Sequence, residues 1–566
     1  MKNIKEREEL AALLFAAPQG GPAADAAYWE AHYPGRALPG GAVVTRLGPS
    51  PTGFVHLGNL FMATINRRLA RQSGGVFYLR IEDTDQKREV EGAVPTLIES
   101  LAYFGIDFDE GVRLENGAAA EHGSYGPYFQ SARRAIYHAF ARKLLLEGKA
   151  YPCFLTEEEI TQIREEQERN KRLPGIYGTY AKWRNAEFEE VEKRIRAGEP
   201  WVLRLDADAA WEAGETVPFT DGIRGGITFP RNVLDVVILK ADGLPTYHFA
   251  HAVDDHLMGT TQVVRGEEWL SSVPIHLMLF AALGFAAPAY CHTALLMKID
   301  EETGVKRKLS KRSDPELALS YYISEGYHPK AMEEYLLTVL NSNYEEWRLA
   351  NPGADNEDFT VTTEKMGVSG ILFDLQKLED VSRDTLLTLP SKELAEFMIG
   401  WARARDAEDG TEIADVYTVQ RDTLEKALDV GRGGEKPRKD LAYARQIAAF
   451  IGYFFDEFFR MEDPLPENIP EAEAEALLKD YLASYDHSDD RDMWFEKIRG
   501  IAEAHGYAPK PKDYKKEPER WKGHVGDVSA VIRRALTGRL NAPDIWEIQQ
   551  ILGERRVRER LTPRTA

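Results

Sequence analysis

At 566 residues the chain is too long for one hydrophobic core, and ordinary domain sizes divide it into roughly three to five. A composition of 43% hydrophobic and 29% charged residues, with no apolar run of membrane-spanning length, reads as soluble and globular rather than membrane-embedded. The formal net charge of −21 speaks against a nucleic-acid partner only on average, because binding depends on local basic stripes.

Residues 1–40 predict a helix followed by a Gly/Pro-rich stretch, an N-terminal extension. No secretory signal is expected, because Lys2, Lys5 and Arg7 are cancelled by Glu6, Glu8 and Glu9. Strand and helix patterns alternate from residue 41, with buried strands expected over 43–47 and 76–81. The segment 150–232, with helices over 157–172 and 186–197, reads as an insertion, after which strands are expected over 233–239 and 262–265. These strands are apolar without clean alternation, as in a parallel sheet covered on both faces. Beyond Arg312 helical periodicity dominates, for example over 440–459 and 529–540, with an acidic helix and loop over 471–490. The expected fold class is α/β plus all-α. A doubly wound, Rossmann-like parallel-sheet domain, split into 41–149 and 233–312 by the inserted α/β segment, precedes a helical C-terminal half divided into 313–385 and 386–566.

Two short strings carry the chemistry. Pro49-Ser50-Pro51-Thr52-Gly53-Phe54-Val55-His56-Leu57-Gly58-Asn59 lies between an apolar run and a helical pattern, which predicts strand, turn, helix. Gly53 and Gly58 permit close backbone approach, and the helix start offers N–H groups and a positive dipole end to a phosphate. Lys308-Leu309-Ser310-Lys311-Arg312, with Lys306 and Arg307 ahead of it, predicts a cationic loop able to close over a triphosphate. Alone, the first string is a Pro/Gly turn and the second a solvated basic loop.

Together they resemble the two signatures of class I aminoacyl-tRNA synthetases, and with Thr45-Arg46-Leu47-Gly48 the first is similar to that of bacterial glutamyl-tRNA synthetases. The resemblance continues through Leu79-Arg80-Ile81-Glu82-Asp83-Thr84-Asp85, Gly126-Pro127-Tyr128-Phe129-Gln130-Ser131, Pro245-Thr246-Tyr247-His248-Phe249 and Val264-Arg265-Gly266-Glu267. Six matches in the family's order over roughly 270 residues make a chance collection untenable. The resemblance implies that 150–232 holds the acceptor stem of tRNA, that 313–385 is a connecting stem-contact domain and that 386–566 binds the anticodon. Phe373-Asp374-Leu375-Gln376-Lys377-Leu378, Ala535-Leu536-Thr537-Gly538-Arg539 and Ile551-Leu552-Gly553 carry the last two.

The implied reaction is attack of glutamate's carboxylate on the α-phosphorus of ATP, then transfer to tRNA, with Mg²⁺ on the phosphates. The resemblance assigns ATP binding to Pro49, Gly53, His56, Gly58, Asn59, Glu268, Lys308, Leu309, Ser310, Lys311 and Arg312, with His56, Lys308 and Lys311 catalytic. Asn59 stands where the signature usually ends in histidine; an amide donates hydrogen bonds but carries no proton's charge. A dicarboxylic amino acid requires two cationic groups and one anionic group. By resemblance, Arg46 with Tyr247 meets the side-chain carboxylate, Arg265 the α-carboxylate and Glu82 the ammonium, with Gly48, Ser50 and His251 beside them. A forked guanidinium pairs better with a carboxylate than with a carboxamide, which favours glutamate over glutamine.

Two cysteines, Cys153 and Cys291, are too few for a disulfide framework and fit a reducing cytoplasm; only one remains of the Cys-x-Cys pair some relatives use, so no zinc is expected. Candidate tRNA contacts are Lys515, Lys516, Arg520 and Lys522, in a run with Lys510 and Lys512, and Arg539 within an arginine-rich tail. The expected partner is tRNA(Glu), with tRNA(Gln) open as a second, and a monomer is expected. A glutaminyl-tRNA synthetase is the rival, opposed by PSPTG, by the EDTD ending at Glu82 and by the helical C-terminus. A non-catalytic tRNA-binding paralogue would have lost His56 or the loop lysines. A short relative that glutamylates a tRNA base, or a small-molecule nucleotidyltransferase, has no use for the residues beyond Arg312.

Overall fold

A computed structural model describes residues 3–15, 24–212, 214–300, 302–310, 312–432 and 437–562. The described residues of 1–321 and 333–374 pack as one unit, and those of 322–332 and 375–562 as a second. This division runs through the segment 313–385, whose residues fall in both units.

In the first unit the apolar runs form strands. β1 (Val44–Leu47) pairs in parallel with β2 (Val76–Leu79), and β2 in parallel with β3 (Glu110–Glu115), which turns back antiparallel into β4 (Ala118–His122). Every residue of β1 is buried, as expected of a strand covered on both faces. The connecting helix, Leu57–Gln72, buries Leu57, Leu60, Phe61, Ala63 and Ile65. It starts at His56, whose extended backbone N–H is capped by the Asn59 side-chain oxygen at 3.0 Å.

The inserted segment begins with β5 (Ala150–Cys153), antiparallel to β6 (Val202–Leu205), followed by a hairpin of β7 (Thr216–Asp221) and β8 (Gly225–Pro230). The strand expected over 233–239 in the parallel sheet is corrected by the pairing. It forms as β9 (Val237–Leu239) and pairs antiparallel with β6, Leu203 opposite Leu239. Buried Asp235 is the reason: it accepts from the Tyr151 hydroxyl (2.6 Å), the Arg184 guanidinium (2.6 Å) and the Ala207 N–H (2.9 Å), fastening the chain ahead of β9 to the insertion.

β10 (Gln262–Gly266) and β11 (Ala289–Thr293) pair in parallel, and Thr261 N–H donates to the Val44 carbonyl at 3.0 Å, which sets β10 beside β1. The chain therefore runs outward from β1 through β2 and β3, then resumes on β1's other side. Ligands of open α/β sheets bind at such a switch point, beyond the carboxyl ends of the strands. A small sheet of β12 (Leu296–Ile299), β13 (Lys306–Lys308) and β14 (Ile371–Leu372) follows. Lys306, Arg307 and Lys308 thus lie on a strand, not in the loop expected of them.

The N-terminal extension holds two helices, Ile4–Leu14 and Ala26–His32, the second unforeseen; residues 16–23 lie outside the described residues. Leu10 and Ala11 join the core around Tyr137 and Phe140, and Arg36 forks onto Glu110 (2.8 and 2.9 Å).

The second unit is helical. Ser391–Asp409 buries Leu394, Ala395, Met398, Ile399 and Ala402 at helical spacing and stops at left-handed Gly410. The helix expected over 440–459 forms over Ala444–Ile451 alone, because Tyr453, Phe454 and Phe455 are all buried, which three successive residues on one helix face cannot be. Among the described residues no helix is long and apolar enough to cross a membrane.

Candidate active site

The carboxyl ends of β1 and β10 border a cavity of about 680 Å³. It is lined by Arg46, Gly48, Pro49, Ser50, His56, Gly58, Asn59, Glu82, Tyr247, Arg265, Glu268, Lys308 and Leu309, most of the residues expected from the sequence. A hollow of about 600 Å³ shares Pro49, Ser50, His56 and Asn59 and adds Arg88, which the sequence reading missed. Gly53, at φ +80°, lines a cleft behind the turn. Ser310, Arg312 and His251 do not line the main cavity, and Lys311 lies outside the described residues.

Behind the cavity wall sits Asp255, a carboxylate with no exposed side-chain surface. It takes Arg80 Nη1 at 2.6 Å, Arg46 Nε at 3.3 Å and His251 Nδ1 at 2.9 Å. Burial opposes its ionisation, but the Arg46 and Arg80 guanidiniums outweigh burial and hold the carboxyl well below its ordinary range. Arg80 also donates to Glu82 Oε1 at 3.0 Å. For Glu82 the balance goes the other way: burial raises the carboxyl, and Arg80 and Arg46 offset this only in part. Gly48 lies so close that a Cβ there would stand 2.4 Å from Glu82 Oε1 and displace that carboxylate from its place beside Arg80.

His251, expected to touch the amino acid, is corrected to a support. It is fully buried between Asp255 and the Tyr290 hydroxyl (2.8 Å) and stacks behind Tyr247, whose ring lies against Trp269. Burial lowers its imidazole to about 4. Asp255 itself went unread, although a signal existed. Tyr247, His251 and Asp255 recur every fourth residue on the helix Tyr247–Leu257 and so share one face.

Arg265 is held differently. Its Nε donates to His292 Nε2 at 3.0 Å, Nη1 lies 3.2 Å from His276 Nδ1, and Nη2 reaches the Trp269 carbonyl at 3.4 Å. Burial keeps His276 well below the ordinary imidazole range and lowers His292 as well. Both rings are therefore neutral acceptors, and among the described residues Arg265 has no carboxylate partner. Its charge is buried, with the face of the Tyr290 ring 4.9 Å from the guanidinium carbon. Among the residues lining the cavity, the buried charged groups are the guanidiniums of Arg46 and Arg265 and the carboxylate of Glu82; behind the wall Arg80 joins Asp255, and Arg133 pairs with Asp254 at 2.7 Å.

At the other end of the cavity His56 is pushed below the ordinary imidazole range by burial and then by the Lys308 charge, so it acts as a neutral hydrogen-bonding group. Asn59 has its amide oxygen engaged by the His56 N–H, which leaves the NH₂ as the donor facing the cavity. Lys308 is exposed and forms no ion pair among the described residues. Arg307, by contrast, is fixed by Asp300 (3.0 Å) and Asp314 (2.6 Å), and Asp314 also takes the Ser310 N–H (2.7 Å), anchoring the base of the loop.

The two basic runs fare unequally. Arg539 forks onto Glu462 (2.7 Å) and reaches the Ala449 carbonyl (2.8 Å), while Arg556 and Arg560 cap the carbonyls of Phe454 and Tyr453. These tail arginines satisfy the fold instead of forming an open stripe. Lys522 pairs with Glu473 (2.6 Å) and Arg520 with Glu517 (2.8 Å), but Lys510, Lys512, Lys515 and Lys516 are exposed without ion pairs among the described residues. Cys153 and Cys291 are buried free thiols, and among the described residues no three His, Cys, Asp or Glu side chains cluster as metal ligands.

Known proteins bear on this geometry. The family model described as "tRNA synthetases class I (E and Q), catalytic domain" matches residues 42–378. The chain is 55% identical over 534 residues to a glutamate–tRNA ligase of Acetivibrio thermocellus, covering 94% of this chain and 96% of that one. It is 48% identical over 538 residues to one of Clostridium perfringens strain 13, covering 94% and 96%. A crystal structure of a glutamate tRNA ligase from Elizabethkingia meningosepticum in complex with its amino acid superposes with a TM-score of 0.68 at 27% identity, covering 92% of this chain and 98% of that one. With the two signature strings facing one crevice at the sheet's switch point, the chain belongs to the glutamate–tRNA ligase family of class I tRNA synthetases.

Proposed function

We propose that the chain is a glutamate–tRNA ligase. It joins L-glutamate to ATP as glutamyl-adenylate and passes the glutamyl group to the 3′-terminal adenosine of tRNA(Glu), releasing AMP and pyrophosphate. One observation carries this reading: the buried charged groups lining the cavity are two guanidiniums, Arg46 and Arg265, and one carboxylate, Glu82. Glutamate, with two carboxylates and one ammonium, brings the missing negative charge, whereas glutamine leaves a buried guanidinium unanswered, an expensive state in low dielectric.

In this reading Arg46, with the Tyr247 and Ser50 hydroxyls, meets the side-chain carboxylate, Arg265 the α-carboxylate and Glu82 the ammonium. An α-carboxylate oxygen attacks the α-phosphorus of ATP, and the bond to the departing pyrophosphate breaks. No enzyme nucleophile takes part. His56, the N–H groups of Leu57 and Gly58 at the helix start, Lys308 and Lys311 place donors and positive charge where the phosphates gain negative charge, and Mg²⁺ brought in with ATP would add further positive charge there. A hydroxyl of the terminal ribose then attacks the adenylate carbonyl, and AMP leaves with its phosphate taking the proton. Lys510, Lys512, Lys515 and Lys516 supply tRNA-phosphate contacts despite the net charge of −21. We place the enzyme in the cytoplasm, as a monomer.

Purified enzyme offered tRNA(Glu) and tRNA(Gln), each with glutamate or glutamine, is expected to charge tRNA(Glu) with glutamate, at a kcat/KM for glutamine roughly a hundredfold lower or less. Charging tRNA(Gln) with glutamine would instead make it a glutaminyl enzyme, and glutamate on both tRNAs a non-discriminating one. Lys308→Ala slows single-turnover adenylate formation roughly a hundredfold; an unchanged rate removes Lys308 from the mechanism. Replacing Lys512, Lys515 and Lys516 with alanine flattens the salt dependence of the KM for tRNA, and an unaltered slope places the phosphate contacts elsewhere.

A further inference from the structure

The hairpin of β7 and β8 belongs to the inserted sheet region, yet its tip lies against the end of β11. Gly222 N–H donates to the Tyr290 carbonyl at 2.8 Å, and a Cβ on Gly222 would come within 2.5 Å of the buried Cys291 sulfur and push it aside. Next to it Asp221, 2% exposed, accepts from the backbone N–H of Ile223 (2.9 Å), Arg224 (3.0 Å) and His292 (3.2 Å), and meets His292 Nδ1 at 2.6 Å. An ionised carboxylate can only accept, so Nδ1 of His292 carries the proton and Nε2 carries the lone pair. That lone pair faces Arg265 Nε at 3.0 Å. Arg224, from the same tip, donates to the His292 carbonyl (3.1 Å) and pairs with Glu267, two residues beyond Arg265.

A hairpin outside the parallel sheet thus sets the tautomer of the ring that holds Arg265. The arrangement differs from a direct ion pair in a way that matters for ligand binding. A carboxylate placed on Arg265 would compete with an incoming one, whereas here the negative charge of Asp221 is kept one imidazole away. Of the five guanidinium N–H groups, three have protein partners in His292, His276 and the Trp269 carbonyl, and two remain for a ligand.

We propose that Asp221 and His292 are positioning residues for the amino acid's α-carboxylate: they aim the Arg265 fork without neutralising it. The proposal rests on the reading of Arg265 as the α-carboxylate contact. Asp221→Asn is the informative change. Its amide oxygen keeps the turn's backbone N–H groups, while its NH₂ faces His292 Nδ1, inverts the tautomer and turns Nε2–H against the Arg265 N–H.

Aminoacylation kinetics of Asp221→Asn, His292→Phe, His292→Gln and Arg265→Gln test this, together with inhibition by 4-amino-5-hydroxypentanoate, which has glutamate's side chain and ammonium but no α-carboxylate. Asp221→Asn and His292→Phe are expected to raise the KM for glutamate roughly tenfold or more, the consequence of a buried donor left unsatisfied. The KM for ATP and the inhibition constant of the alcohol stay within twofold, and His292→Gln, whose amide oxygen restores an acceptor, recovers much of the loss. If Arg265→Gln loses glutamate affinity while Asp221→Asn and His292→Phe do not, or if these two weaken glutamate, ATP and the alcohol alike, the proposal is overturned. If Arg265→Gln itself leaves the KM for glutamate unchanged, the reading of Arg265 beneath it fails.

Discussion

The site depends on one buried carboxylate. Asp255 has no exposed side-chain surface, and a lone charge there would cost several kcal/mol, about what breaking a buried ion pair costs. It persists because Arg80 and Arg46 both reach it and His251 closes its remaining side. Each arginine leaves the contact with work still to do: Arg80 turns to Glu82, and Arg46 faces the cavity. Removing Asp255 would leave two guanidiniums side by side in low dielectric, so the shape of the cavity wall and the sign of its charge follow from the same contact.

The two cavity-facing arginines solve the same problem in different ways. Arg46 is anchored by a carboxylate shared with Arg80, so its own charge is partly answered. Arg265 is anchored by neutral imidazoles, which orient it through hydrogen bonds and leave its charge whole. Burial is what makes the second solution possible, because it keeps His276 and His292 unprotonated beside a cation. The result is a cavity whose buried charged lining is two guanidiniums, Arg46 and Arg265, and one carboxylate, Glu82, the complement of the dicarboxylic amino acid we propose as substrate.

How much of this was legible in the sequence follows from range. Local patterns placed β1, the turn around Gly53 and the helix after His56, because strand, turn and helix signals act over a few residues, whereas the cavity-lining set from Arg46 to Lys308 came from the resemblance of the short motifs to a known family. Contacts between segments far apart in the chain left weaker traces. Asp221 meets His292 from a hairpin 71 residues earlier, and nothing in either neighbourhood announces the other. The strand at 237–239 was assigned to the wrong sheet because apolar content does not say which partner a strand will find, and Asp235, which decides it, is a single polar residue in an ordinary stretch. The tail arginines were read as a basic stripe since charge is visible in sequence while the carbonyls that absorb it are not.

The central claim is that Asp255, through Arg46, prepares the crevice for glutamate rather than for amino acids in general. It is tested most directly by the kcat/KM for glutamate and the KM for ATP in aminoacylation by the Asp255→Asn variant. The account predicts a loss of roughly a hundredfold or more in glutamate kcat/KM, as for a broken buried ion pair, with the KM for ATP within about twofold of the parent enzyme. Glutamate kinetics unchanged by the substitution would contradict it.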